Sequence, residues 1–201
     1  MACDLTKGRL VDCKDAIGGL KQFWIIPNYC DNIESCAEIT DLECADFDFA
    51  DWTTYGDPTV SKQTLLQYDL RPNLSSLSVT FNSDPATGTS FWTHTLSVTL
   101  QKLDHDTTNQ LKLAAYNRSQ IFVRDANDNI FLLGMNNGCN ISAGTMQSGA
   151  AKGDLSGYTL EFTAEEKLPP IQVTPTDGPA ETDYPWDNLT DYSAIEFVVG
   201  T

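Results

Sequence analysis

The chain has 201 residues and a mass of 22.1 kDa, enough for one domain with a substantial hydrophobic core. Its 28 acidic residues outnumber 12 Lys and Arg, and the net charge of −16 argues against tight binding of nucleic acid, which requires clustered cations. No stretch approaches the roughly 18 consecutive apolar residues of a membrane helix, and the N-terminus lacks a secretory signal pattern, so we expect a protein made and kept in a cytoplasm.

The acidic residues are concentrated in two stretches without Lys or Arg, one between Lys21 and Lys62 and the other after Lys167. Such runs usually form a solvated face that keeps a protein soluble. The alternative is a wall that DNA can pass without being held.

The six cysteines show no Cys-x-x-Cys pair and no secretory context, which favours free thiols. A zinc site that combines Cys30, Cys36 and Cys44 with His94 or His105 is disfavoured, because structural zinc usually uses a closely spaced ligand pair. We therefore predict no metal and no cofactor.

The first third of the chain predicts an irregular arm over residues 1–21, closed by Gly18 and Gly19, and then a strand at Phe23–Ile26. A second strand is predicted around residues 33–39. Residues 41–58 read as an acidic loop whose aromatic side chains either pack on the core or contact a neighbouring molecule. These aromatic residues are Phe47, Phe49, Trp52 and Tyr55.

Residues 74–103 predict a long hairpin, because two alternating segments flank the turn-forming sequence NSDPATGT. One side of the hairpin is apolar, interrupted by His94. The other side carries Ser76, Ser78, Thr80, Thr93, Thr95, Ser97 and Thr99. These hydroxyls either face water at a sheet edge or line a channel.

A short helix follows, with Asp106 or Thr107 as its N-cap, a stripe of Leu111, Ala114 and Ala115, and an end near Asn117. A second hairpin is predicted from Ile121–Arg124 and Ile130–Leu133. Its turn, DANDN, departs from a calcium loop, because it lacks the required Gly and the bidentate Glu. We interpret Asp104, His105 and Asp106 as a solvated helix entry.

The glycine-rich segment from Gly134 to Gly157 favours close backbone approach, and the alternation from Tyr158 to Thr163 predicts a half-buried strand. After Pro169 the composition changes and prolines oppose both helix and central strand. We predict an extended arm over residues 169–201 that ends in a strand at Ile195–Val199 and follows a β-rich domain of residues 1–168. The aromatic residues of this arm pack either on their own domain or on a neighbour.

Two motifs carry a resemblance to tail tube and related structural proteins of tailed bacteriophages. The first is the opening MACDLTKGRLVDCKDAIGGLK. The second is a strand that ends in Leu133-Gly134, followed by Asn137-Gly138 and by GDLSGYTLEFT leading into acidic residues. Residues 27–75 and the segment after Pro169 lie outside the resemblance.

The resemblance implies a mainly β fold, a sandwich or barrel with long hairpins and one packed helix, that forms a homo-oligomeric six-fold ring stacked into a tube. Such a protein resides in the virion, contacts other tail proteins, and lets DNA pass without binding a membrane or a small-molecule substrate. The hydroxyl side of the hairpin is then the channel lining. We predict the subunit interface at Cys3, Leu5, Phe47, Trp52, Gly144, Gly149, Gly153, Trp186 and Phe197.

No motif indicates catalysis, since neither histidine has a nucleophile in its sequence context and no Walker loop, GxSxG or HExxH sequence occurs. We therefore expect no enzymatic activity. Two alternatives share the β-rich, acidic profile. One is another virion part, a head-to-tail connector or a capsid decoration protein. The other is a carbohydrate-binding β-sandwich that stacks sugars on Trp24, Trp52, Trp92 or Trp186.

Overall fold

The computed structural model describes residues 16–26, 63–173 and 195–199. In these ranges the chain forms ten strands and one helix. Their bounds are β1 (Leu20–Ile26), β2 (Gln63–Asp69), β3 (Ser76–Asp84), β4 (Thr89–Gln101), α1 (His105–Tyr116), β5 (Gln120–Asp125), β6 (Ile130–Leu133), β7 (Asn140–Gln147), β8 (Gly157–Glu166), β9 (Ile171–Val173) and β10 (Ile195–Val199). None of the described residues belongs to a helix with the length and apolar character of a membrane span.

The strands form a six-stranded sheet of order β10-β2-β1-β5-β6-β9 and a four-stranded sheet of order β3-β4-β8-β7. All pairs are antiparallel except β10 with β2. One core cluster joins Phe23 and Ile121 of the larger sheet to Leu96 and Phe162 of the smaller one. The predicted mainly β fold is confirmed as a two-sheet sandwich, which is not closed into a barrel.

The strand predicted at residues 23–26 is confirmed as the last part of β1, where alternate side chains enter the core between the sheets. Phe23 stacks on Tyr68 of β2 with ring centroids 4.8 Å apart, and it tilts against Phe162 at 6.3 Å. The sequence analysis did not predict β2, β7 or β9. Adjacent leucines obscure alternation in β2, glycine and small residues weaken the strand signal of β7, and prolines precede β9.

The long hairpin is confirmed, with β3 and β4 in continuous antiparallel register from Ser76↔Ser97 to Asp84↔Thr89. Leu96 and Val98 of its apolar side are buried in the core. β8 pairs with β4 from Gln101 only as far as Trp92. The end of the hairpin therefore extends beyond the strand next to it.

The helix ends as predicted, with Asn117 at its C-cap, but the predicted N-cap is wrong. Asp104 is the N-cap, and its carboxylate accepts hydrogen bonds from the backbone N–H groups of Asp106 and Thr107 at 3.1 and 3.2 Å. Asp104, Asp106 and Thr107 can each cap a helix, so the local sequence does not select one. Of the predicted stripe, Leu111 is buried and Ala115 is exposed.

The second hairpin, β5 with β6, and the strand from Tyr158 to Thr163 are also confirmed. In the segment predicted as an arm, β9 pairs with β6 and β10 pairs with β2, so both strands belong to the six-stranded sheet. The strand predicted around residues 33–39 and the acidic loop at residues 41–58 lie outside the described residues.

Replacement of Phe162 by Ala tests the core between the sheets. The side chain is fully buried, so its removal leaves a cavity, and we expect the free energy of unfolding to fall by about 3–5 kcal/mol. Phe81→Ala is the matched control, because Phe81 is 51% exposed and its loss should cost about 1 kcal/mol or less. Urea denaturation measures both changes, and equal losses would contradict this description of the core.

Candidate functional site

The outward side of the four-stranded sheet carries mainly polar side chains, and we call it the hydroxyl face. Because side chains alternate along a strand, residues paired across the sheet share one side. The hydroxyl face consists of Ser76, Ser78, Thr80, Asn82 and Asp84 of β3, Thr89, Phe91, Thr93, Thr95, Ser97, Thr99 and Gln101 of β4, Thr159, Glu161, Thr163 and Glu165 of β8, and Asn140, Ser142, Ala143, Thr145 and Gln147 of β7. Phe91, which pairs with Asn82 near the end of the hairpin, is its exposed aromatic residue.

All seven residues predicted to line a channel lie together on this face. Ser76 pairs with Ser97 and Thr80 with Thr93, which brings hydroxyls from both arms of the hairpin side by side. The sequence analysis did not extend the set to β7 and β8. The alternation of Thr159, Glu161 and Thr163 was the available signal, but the strand order that places them beside β4 is not visible locally.

Hydrogen bonds between strands hold part of this face in place. Asn82 Nδ2 donates to Thr93 Oγ1 at 2.9 Å. Thr163 Oγ1 donates to Ser142 Oγ at 2.8 Å, and Ser142 Oγ donates in turn to Glu161 Oε1 at 3.0 Å. These cross-strand contacts order side chains that would otherwise move freely in water.

The charge of the hydroxyl face is purely negative, because it carries Asp84, Glu161 and Glu165 and none of its positions is Lys or Arg. Both glutamates lie on β8, an interior strand of this sheet. A surface with this composition repels phosphate groups and offers them no cation.

The two edges of the four-stranded sheet differ. β7 is interrupted by a register shift between Ile141 and Ala143, which is one way that proteins protect an edge from pairing. β3 is continuous over nine residues and contains neither Lys nor Pro. Two of its apolar side chains, Val79 and Phe81, are 37% and 51% exposed, on the side opposite to the hydroxyl face. Among the described strands, β3 pairs only with β4, so it forms an edge of this sheet.

The three glycines predicted at a subunit interface, Gly144, Gly149 and Gly153, are all exposed in the single chain. Gly149 has a φ of 72° in a turn, where a Cβ would lie 2.7 Å from Cβ of Asp154. A Cβ added at Gly153 would have no atom within 4 Å. The closest approach among the described glycines is at Gly157, where a Cβ would overlap the Leu100 carbonyl oxygen. An interface role for the three exposed glycines stays a prediction.

The side chains of the other predicted interface residues lie outside the described part of the chain. Cys3, Leu5, Phe47, Trp52 and Trp186 lie outside the described residues. Phe197 belongs to β10, whose backbone alone is described. Their assignment to an interface stays a prediction.

A small buried site lies at the end of the sandwich, where His94 and Glu166 approach the turn after β6. His94 Nε2 donates to the carbonyl oxygen of Leu168 at 3.2 Å, and its Nδ1 has no hydrogen-bond partner among the described residues. Glu166 Oε1 accepts from the backbone N–H groups of Asn136 and Asn137 at 2.9 and 2.8 Å. Sequence reasoning missed Glu166, although the alternation of β8 places it on the same side as Phe162.

Ionisation at this site is governed by burial. Desolvation lowers the pKa of His94 below its ordinary value. The hydrogen bond to the Leu168 carbonyl raises the pKa, because it favours the protonated ring, but its effect is the smaller of the two. Desolvation also raises the pKa of the Cys139 thiol, and the charge of Glu166 raises it further. Cys139 is a free, buried thiol. It therefore remains protonated at neutral pH, which makes it a poor nucleophile and a poor metal ligand.

The other candidates for chemistry have structural roles. Asp104 is the N-cap of α1, which confirms the helix entry. Its carboxylate accepts hydrogen bonds from backbone N–H groups, and these bonds, above all the one from Thr107, lower its pKa. The Asp125 carboxylate accepts from the backbone N–H groups of Asn127 and Asn129, both at 2.8 Å, and so closes its own turn. Among residues 16–26, 63–173 and 195–199, no three His, Cys, Asp or Glu side chains are arranged to hold a metal ion.

The tryptophans proposed as a sugar-stacking platform are only partly described. Trp24 is 1% exposed, so it cannot stack on a sugar, and its inclusion in that platform is wrong. Trp92 is partly buried and contacts Phe81, with ring centroids 4.9 Å apart. Trp52 and Trp186 lie outside the described residues.

Comparisons with protein-family models, with curated proteins and with solved structures find no match for this chain.

Substitution of two glycines tests the close backbone approach at Gly157. Gly157→Ala forces the new methyl group into the Leu100 carbonyl, and we expect a loss of about 1–3 kcal/mol in unfolding free energy. Gly153→Ala meets open space and should change stability by about 0.5 kcal/mol or less. Thermal denaturation of both variants checks this, and a strongly destabilised Gly153→Ala would contradict the geometry.

His94 makes the stability of the fold depend on pH. Because its pKa is lowered in the folded state, only the unfolded chain takes up this proton as the pH falls below about 6.5, and stability then decreases. The slope from one such proton is at most about 1.4 kcal/mol per pH unit. We expect urea denaturation at pH 7.5 and 5.5 to show a smaller decrease for His94→Gln than for the native chain. An unchanged slope in His94→Gln would refute the assignment.

Proposed function

We propose that this chain is a structural protein of a tailed-phage virion, a tail tube subunit that forms stacked rings around an anionic channel for DNA. The observation that carries the proposal is the hydroxyl face, a mainly polar surface four strands wide with three carboxylates and no cation, bordered by β3, an edge among the described strands. When such sheets join edge to edge around a ring, no open edge remains and the polar faces form one continuous wall.

The action of this wall is electrostatic and mechanical. Hydroxyl groups at the wall keep it hydrated, while Glu161, Glu165 and the net charge of −16 disfavour lasting contact with phosphates. DNA can then pass without being bound, and the repeated contacts between subunits supply stiffness. The partners are further copies of the chain and other tail proteins, and the protein carries out no catalytic turnover.

The exposed apolar residues of β3 support a joint at that edge. Val79 and Phe81 lie on the side of β3 that faces away from the channel wall in this arrangement. A subunit added at the edge would cover them, and burial of apolar area favours association. Exposed aliphatic and aromatic side chains on an unprotected edge strand otherwise promote aggregation.

The double substitution Val79→Lys with Phe81→Lys tests the joint. Both positions are exposed in the single chain, so the fold should remain intact, but assembly would have to bury two new charges and should fail. The matched control is Gln110→Lys with Leu113→Lys, which adds the same charge at exposed positions of α1. Negative-stain electron microscopy and sedimentation of both variants and the native chain measure assembly.

The outcomes distinguish the proposal from its alternatives. Rings or tubes from the native chain and the α1 variant, but not from the β3 variant, are the expected result. A native chain that stays monomeric at high concentration, or a β3 variant that assembles normally, would contradict the proposal. Single rings or caps that never stack would instead favour a connector or decoration protein.

A further inference from the structure

The buried site at the end of the sandwich contains a small cavity to which both sheets contribute. His94 of β4 and Glu166 of β8 line it from the four-stranded sheet, and Leu132 of β6 and Ile171 of β9 from the six-stranded sheet. The other described residues of the lining are Met135, Asn136, Leu168 and Pro169. The volume of the cavity is about 10 Å³. A water molecule requires about 10–15 Å³, so the cavity has room for one.

His94 contributes a hydrogen-bond acceptor to this site. Its side chain is 2% exposed, and its Nε2 lies 3.2 Å from the carbonyl oxygen of Leu168. Because a carbonyl oxygen only accepts, Nε2 carries the ring hydrogen of this bond. Burial lowers the pKa of His94, so the ring is neutral at pH 7 and its other nitrogen, Nδ1, is an acceptor. Nδ1 is buried and has no hydrogen-bond partner among the described residues.

Asn136 contributes a second acceptor. Its backbone N–H donates to Glu166 Oε1 at 2.9 Å, which holds this residue beside the end of β8. Its side-chain oxygen, Oδ1, is buried and likewise lacks a hydrogen-bond partner in the part of the chain that the structure describes. Polar atoms that are buried in a folded protein are nearly always hydrogen-bonded to the protein or to an ordered water.

The other described side chains of the lining do not supply the missing hydrogens. The Glu166 carboxylate is itself an acceptor, since Oε1 takes the backbone hydrogens of Asn136 and Asn137 at 2.9 and 2.8 Å. The remaining side chains are apolar and have no N–H or O–H group: Leu132, Met135, Leu168, Pro169 and Ile171. A ligand of this cavity must therefore bring its own donors and be no larger than a water molecule.

We propose that the cavity binds one water molecule, which donates one hydrogen bond to Nδ1 of His94 and the other to Oδ1 of Asn136. Two buried acceptors need two donated hydrogens, and a water molecule carries both on one oxygen. The bound water links β4 of the four-stranded sheet to the turn after β6 of the six-stranded sheet, so it is part of the contact between the sheets. This inference does not depend on the proposed function.

A high-resolution crystal structure of the full chain tests the site directly. We expect one peak of electron density within about 2.7–3.2 Å of both Nδ1 of His94 and Oδ1 of Asn136. Absence of this peak would overturn the proposal. A direct hydrogen bond from the Asn136 amide nitrogen to Nδ1 would overturn it as well, because the two side chains would then satisfy each other.

Nuclear magnetic resonance of the full chain with 15N-labelled histidine gives a second measurement, and the assignment is simple because the chain has two histidines. At pH 7 we expect the His94 ring to carry its hydrogen on Nε2. We also expect nuclear Overhauser effects between the ring hydrogens and a water that exchanges more slowly than surface water. A ring that carries its hydrogen on Nδ1 would contradict the proposal, since Nδ1 could not accept from the water.

Two substitutions each remove one acceptor. His94→Phe keeps an aromatic ring but lacks Nδ1, and Asn136→Leu keeps a branched side chain of similar shape but lacks Oδ1. We expect the density peak to disappear in both variants. His105→Phe is the matched control, because it makes the same change at an exposed position of α1 and should retain the peak. If His94→Phe does not fold, Asn136→Leu decides the question, since its backbone N–H can still donate to Glu166. A peak that persists in Asn136→Leu would overturn the proposal.

Discussion

The structure depends on one contact, the packing of the inner side of β4 and β8 against the six-stranded sheet. Leu96, Val98 and Phe162 meet Phe23 and its neighbours in a single cluster. Because side chains alternate along a strand, this burial also sets the direction of every residue between them. A register slip of one residue would turn the hydroxyls inward and the aromatic rings outward, so the core and the hydroxyl face are two results of one constraint.

The two sheets have different surroundings as a consequence. The six-stranded sheet is buried on both faces, and its central strands β1 and β5 are nearly continuous apolar sequences, FWII and IFV. The four-stranded sheet is buried on one face only, and burial alternates along β4 from Thr93 to Thr99 and along β8 from Tyr158 to Glu166. Exposed sheet surface is therefore concentrated on the smaller sheet.

The asymmetry between β3 and β7 matters for the proposed assembly. A continuous edge can pair with another strand along its whole length, whereas the shifted register of β7 limits the geometry of any joint there. Buried Glu166 adds a further constraint, because its carboxylate holds the turn at Asn136 and Asn137 against the end of β8. That contact fixes the position of the sheet end from which the hairpin projects.

Sequence alone determined the elements whose signals are local. The alternation of β4 and β8, the turn at residues 82–89, the hairpin of β5 and β6 and the end of α1 all follow from side-chain periodicity and turn chemistry within a few residues. The membership of the hydroxyl face was predicted only for the hairpin, since its other half comes from β7 and β8, far along the chain. Only the tertiary structure decided the strand order, the parallel pairing of β10 with β2, the choice of Asp104 as the cap and the burial of Trp24 and Glu166. Each of these depends on which distant segment lies next to a residue, and no local pattern contains that information.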